Sequence, residues 1–142
     1  MSDEVEIGRG KRGRRAYTLD DIALVPSRRT RDPEDVNVGW QIDAYHVDIP
    51  LMAAPMDSVM SPETAIAFGR LGGIGVLDLD GLWTRYEDPT PFLDHIAHLG
   101  EEESIATLQR VYSEPIKPSL ITARLKQLRE AGVVVAGKLS PQ

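Results

Sequence analysis

The stretch that decides the fold is Ile49-Pro50-Leu51-Met52-Ala53-Ala54-Pro55-Met56-Asp57-Ser58-Val59, continued by Met60-Ser61-Pro62-Glu63-Thr64. Its apolar run has strand length and no polar alternation, which predicts a strand covered on both faces. Ala53 and Ala54 leave room at the strand end, and Pro55 breaks the ladder and sets a turn. Ser61 is a cap for the next helix, with Pro62 at its first helical position. In α/β proteins the loop after such a strand is where ligands are held.

Working outward, the helix is predicted over about Pro62 to Leu71, with an apolar stripe of Ala65, Ile66, Phe68 and Leu71. Gly72-Gly73 ends it. Ile74 to Leu77 reads as a second buried strand. Further helices are predicted at about Pro91 to Leu99, from Glu101 onward, and at about Ser119 to Ala131. The last carries Ile121, Leu125 and Leu128 at helical spacing. Val133 to Ala136 reads as a third buried strand. Strands alternating with helices imply parallel pairing and an α/β fold.

On the N-terminal side, Trp40 to Asp43 and Tyr45 to Asp48 alternate with period two and predict short strands. Thr18 and Asp21 have capping-box spacing, which suits one helical turn. Pro26 to Pro33 is a polar connector whose arginines, Arg28, Arg29 and Arg31, suit an exposed loop. Residues 1–15 hold few apolar side chains and predict a basic, poorly ordered arm.

Three motifs together resemble the IMP dehydrogenase/GMP reductase family. Leu51 to Val59 is similar to the signature of its first barrel strand and loop. Tyr17 to Pro26 resembles its lead-in segment, and Gly72 to Leu77 its second strand. The resemblance implies that residues 16–142 form the N-terminal part, about three strands, of a TIM (β/α)₈ barrel. A full barrel takes eight strands and roughly 250 residues.

It also implies chemistry. Family members bind a purine nucleotide at the C-terminal mouth of the barrel. Dehydrogenases convert IMP to XMP with NAD through a cysteine thioimidate, and reductases convert GMP to IMP with NADPH. Carried over by position, Ala54, Pro55, Met56 and Asp57 are the substrate-binding residues. Met56 matches the methionine that packs on the base, a polarizable side chain against a flat ring. Asp57 matches an acid that orients the loop or accepts from the ligand, and Ala54 and Pro55 shape the floor. The resemblance further implies a homo-oligomer, a tetramer in the family, and a monovalent cation in the full-length protein.

Two departures stand out. Leu77-Asp78-Leu79-Asp80-Gly81-Leu82-Trp83 replaces a His-Lys-Asn-like stretch, and only about fifty residues separate the second and third strands. That spacing leaves no room for regulatory CBS modules and points to a CBS-less, IMP dehydrogenase-related subfamily. The chain also has no cysteine. Thioimidate chemistry needs a nucleophile, so no catalytic residue is assigned here and these 142 residues are expected not to turn over alone.

Other candidates read as structure. Asp78 and Asp80 suit a turn, since a magnesium site wants more converging oxygens. His95 and His98 are one helical turn apart but lack a third ligand, so no metal site is assigned. Trp83 and Tyr86 suit either a pocket wall or core packing. Glu101 to Glu103 complement a helix dipole.

Composition bounds the class. Of 142 residues, 42% are hydrophobic and 27% charged, enough apolar content for a core. No run approaches the ~18 apolar residues of a membrane span. With no signal-peptide core at the N-terminus, the expected location is cytoplasmic. The net charge is -6, yet residues 1–31 hold 8 of the 16 basic residues and only 5 of the 22 acidic ones. A basic front end offers an alternative reading, a non-catalytic module that binds nucleic acid or a partner chain. No aromatics interleave with these basic residues to stack bases, which argues against single strands.

Overall fold

The computed structural model describes residues 4–25 and 32–141. The arginines at positions 28, 29 and 31 lie outside the described residues. The chain divides into two compact units, Met1–Val36 and Asn37–Gln142.

In the first unit, β1 (Glu4–Gly8) and β2 (Lys11–Arg14) form an antiparallel hairpin. The expected poorly ordered arm is thus a ribbon. Its signal is the alternation Glu4-Val5-Glu6-Ile7, read against a turn at Gly10, where φ is +70°. Glu4 faces Arg14 and Glu6 faces Arg12 across the ladder, so opposite charges pair on one side. A short 3₁₀ turn follows at Leu19–Asp21. Thr18 caps it: its backbone N–H and its hydroxyl both donate to Asp21 Oδ2, at 3.0 and 2.9 Å. Those bonds hold the Asp21 carboxyl below the ordinary range.

The second unit opens with β3 (Trp40–Ile42) and β4 (Tyr45–Val47), an antiparallel hairpin turned by Asp43 at φ +49°. Next come β5 (Met52–Ala53), α1 (Pro62–Arg70) and β6 (Ile74–Asp78). After them follow α2 (Thr90–Ala97), α3 (Glu101–Tyr112), α4 (Pro118–Glu130) and β7 (Ala136–Lys138). β5, β6 and β7 form a parallel sheet in that order, with Ala53 opposite Gly75 and Leu77 opposite Gly137.

Only β6 is central, and its residues are the most buried of the three strands. The core joins Met60, Ala65, Leu77, Leu79 and Leu128, with Ile121, Leu125, Val133 and Val135 packed around it. Ser61 caps α1 by accepting from Thr64 N–H at 3.0 Å. α1 can lie close on the sheet because Gly75 has no side chain: a Cβ there would stand 2.5 Å from Ala65 Cα.

Two expectations about strands need correction. The first strand is not covered on both faces: Leu51 is 57% and Met52 61% exposed. Among the described residues β5 pairs with β6 alone, and of that apolar run only Ala53 packs against the core. The third strand begins later than the valine run suggests. Val133 and Val135 serve as packing residues, and ladder pairing begins at Ala136, opposite Val76.

A parallel crossover needs one helix. α4 lies against α1 and supplies it between β6 and β7. α2 and α3 are additional, packed on each other ahead of α4. No described helix is long and apolar enough to cross a membrane.

Candidate functional site

The loop after β5, the end of β6, and helices α2 and α3 enclose a cleft of about 890 Å³. It opens beyond the C-terminal ends of the parallel strands, where α/β sheets hold ligands. Of the four residues singled out from the sequence, Pro55, Met56 and Asp57 line it. Ala54 does not, but its carbonyl accepts from Met56 N–H at 2.9 Å and shapes the loop. The Met56 carbonyl in turn accepts from Val59 and Met60, a tight turn that leaves the Met56 side chain 53% exposed at the cleft.

Asp57 ties three elements together. Its Oδ2 accepts from Leu82 N–H at 2.7 Å and from the Tyr112 hydroxyl at 2.5 Å. Its Oδ1 is buried and has no hydrogen-bond partner. The carboxylate sits over Gly81, where a Cβ would come within 2.4 Å of Oδ1. Burial, then donation to Asp57 and the charges of Asp57 and Asp78, push the Tyr112 phenol well above the ordinary tyrosine range. Arg85 lies 5.6 Å over the Tyr112 ring and opposes that shift.

Trp83 also lines the cleft, with its indole N–H buried and unpartnered. Arg124 stands 5.6 Å over the indole and donates to the Trp83 carbonyl at 3.1 Å. Arg85 donates to the Asp80 carbonyl at 3.0 Å. Two guanidinium groups thus fasten the segment 80–87 by its backbone. Tyr86 is a packing residue: its ring lies 4.6 Å from Phe92 and its hydroxyl donates to the Val111 carbonyl.

Asp78 and Asp80 do more than close a turn. Both pair with Lys138 at the end of β7, at 3.4 and 3.2 Å. Asp80 also accepts from Ser140 N–H at 2.8 Å, and that bond foremost holds its carboxyl low. Its pairing with Asp80 foremost raises the Lys138 ammonium. Asp78 faces the cleft; Asp80 does not. His95 and His98 lie outside the cleft lining, and the His98 ring bonds the Asp94 carbonyl at 2.7 Å. Among the described residues no group of three or more His, Asp or Glu side chains is placed to hold a metal ion.

Tyr112 and Lys138 escaped the sequence reading. Tyr112 lies 55 residues from Asp57, and nothing local marks it. Lys138 had a faint signal, a lone cation directly after a strand.

Fold and cleft together define a mixed α/β protein whose parallel sheet carries a loop-built site at its strand ends. Residues 16–81 match the model of the IMP dehydrogenase / GMP reductase domain. An "uncharacterized oxidoreductase" of Mycolicibacterium smegmatis is 44% identical over 97% of this chain and 38% of its own length. One from Mycobacterium leprae is 43% identical over the same shares. The inosine-5'-monophosphate dehydrogenase of Methanocaldococcus jannaschii is 42% identical over 45% of this chain and 13% of its own. The crystal structure of an IMP dehydrogenase/GMP reductase-like protein from Corynebacterium glutamicum superposes with a TM-score of 0.78 at 42% identity, covering 98% of this chain and 38% of that one. The chain belongs to the IMP dehydrogenase/GMP reductase family. It spans 38% of the length of its oxidoreductase relatives.

Proposed function

We propose that this chain forms the first part of a (β/α)₈ barrel in an oxidoreductase of IMP dehydrogenase type, oxidising IMP to XMP with NAD. In this reading residues 16–142 contribute three strands and the substrate loop, without CBS modules, to a homo-oligomeric enzyme. Residues 1–15 stand ahead of that domain. The observation that carries the proposal is the position of Pro55, Met56 and Asp57. They line a cleft at the C-terminal ends of parallel strands, in a chain of this family. Met56 offers a flat ring an exposed thioether, and Trp83 offers it an aromatic wall.

The nicotinamide cofactor would supply hydride acceptance. The cleft suits a ring and its ribose better than a diphosphate, since no basic side chain lines it. The chain has no cysteine, so the covalent step lies with residues it does not hold, and these 142 residues alone do not turn over.

GMP reductase is the second reading, favoured by the family model, whose description covers both activities. The test is to follow nicotinamide absorbance in a full-length protein carrying this segment. IMP-dependent reduction of NAD is expected. GMP-dependent oxidation of NADPH would establish the reductase instead, and the absence of both signals would reject the proposal.

A further inference from the structure

Asp57 borders the cleft, yet its carboxylate is taken up by the protein. Oδ2 accepts from Leu82 N–H and from the Tyr112 hydroxyl, and Oδ1 is buried against Gly81. A carboxylate so enclosed has little left to offer a ligand, and its bonds act on the loop that carries it. Met56, next to it, is the part of that loop that stays open, with its side chain at the cleft. The phenol that meets Asp57 is itself held. Tyr86 donates from its hydroxyl to the Val111 carbonyl at 3.0 Å. Arg85 donates to the Glu114 carbonyl and lies 5.6 Å over the Tyr112 ring. Leu82, Arg85 and Tyr86 all belong to the segment after β6, so one stretch of chain fastens both Asp57 and the end of α3. Val111 is buried, which fixes the last turn of α3 where Tyr112 leaves it.

We propose that Tyr112 is a positioning residue: through Asp57 it holds the loop after β5 in the shape that presents Met56 to a ligand. The identity of the ligand rests on the nucleotide reading above; the hold on the loop does not. Without the hydroxyl, Asp57 keeps one donor on a partly buried carboxylate, and burial penalises a charge with too few partners. The loop relieves that penalty by swinging the carboxylate toward water, which carries Met56 with it. A loop already in its bound shape spares the cost of ordering it when the ligand arrives. Burial foremost raises the phenol, so it stays protonated and remains a donor across the physiological range.

The test uses a full-length protein carrying this segment, wild type and Tyr112→Phe, first without ligand. The amides of Val59 and Met60 close the loop on the Met56 carbonyl. Hydrogen exchange there is expected to quicken about fivefold in Tyr112→Phe, with the β6 amides unchanged. Unchanged exchange at Val59 and Met60 overturns the proposal. Calorimetric titration with IMP follows. Tyr112→Phe is expected to weaken IMP about fivefold. Met56→Ala should weaken it as well, and the double variant should bind as Met56→Ala does, within about twofold. Unchanged affinity in Tyr112→Phe overturns the proposal, because a tyrosine that only braces the fold lowers the melting temperature and leaves IMP alone. Losses that multiply in the double variant overturn it too, since Tyr112 then acts apart from Met56. Wild type that binds neither IMP nor GMP rejects the nucleotide reading, and loop exchange then decides the role of Tyr112.

Discussion

At the scale of single residues, Asp57 and its neighbours set the geometry of the loop. Tyr112→Phe removes one donor from a carboxylate that keeps only Leu82 N–H. Because the contact is partly open to water, the expected loss is about 1 kcal/mol in denaturant unfolding. The same hydroxyl gives a signature in pH. A phenol whose folded pKa is raised favours the folded state below the unfolded tyrosine value, about 10, and that contribution disappears as pH rises through the folded value. Absorbance titration should therefore show a tyrosine step above the ordinary tyrosine range. Tyr112→Phe should abolish that late step. Gly81→Ala puts a methyl into the Asp57 carboxylate. A loss of roughly 1–3 kcal/mol is expected, read from the unfolding midpoint. An unchanged midpoint would mean that the loop gives way without cost.

At the scale of elements, α4 and β7 close the structure. Leu128 is fully buried, joining α4 to Leu77 and Met60. Leu128→Ala should cost roughly 2–5 kcal/mol through transfer and cavity terms. The Asp78, Asp80 and Lys138 trio ties β6 to β7 at their C-terminal ends. Asp80 has a lowered pKa, so its contribution is present above the unfolded value, about 4, and fades as pH falls through the folded one. Lys138 has a raised pKa, so its contribution is present below about 10.4 and fades as pH rises through the folded value. Lys138→Met should therefore lower the melting temperature at neutral pH, with the difference from wild type shrinking toward both extremes. A constant offset at all pH values would contradict the ion-pair account.

At the scale of the whole molecule, open edges dominate. β5 and β7 each pair on one side among the described residues, and Leu51, Met52 and Val59 are more than half exposed. Open parallel edges beside apolar surface invite association. The chain alone is expected to bind a hydrophobic dye and to self-associate as concentration rises. A monomer in analytical ultracentrifugation with a sharp cooperative melt would show instead that the sheet is content as it stands.

Much of this was legible in the sequence because the deciding signals are local. The Ser61 cap, the Thr18–Asp21 box, the stripe of α4 and the strand–helix alternation depend on neighbours within about one helical turn or on a simple period. So did the choice of Pro55, Met56 and Asp57, which rests on a contiguous motif. Packing decided what the pattern could not. The run Leu51-Met52 reads as a doubly buried strand, yet burial depends on a covering layer that no residue of the run encodes. The valines at 133–135 have strand chemistry, but ladder register with β6 begins only at Ala136. Tyr112 meets Asp57 because α3, packed with α2 beyond the end of β6, carries it there. The sequence by itself determined the order of strands and helices from Trp40 onward and the loop; tertiary packing decided what that loop faces, because its partners are distant in the chain.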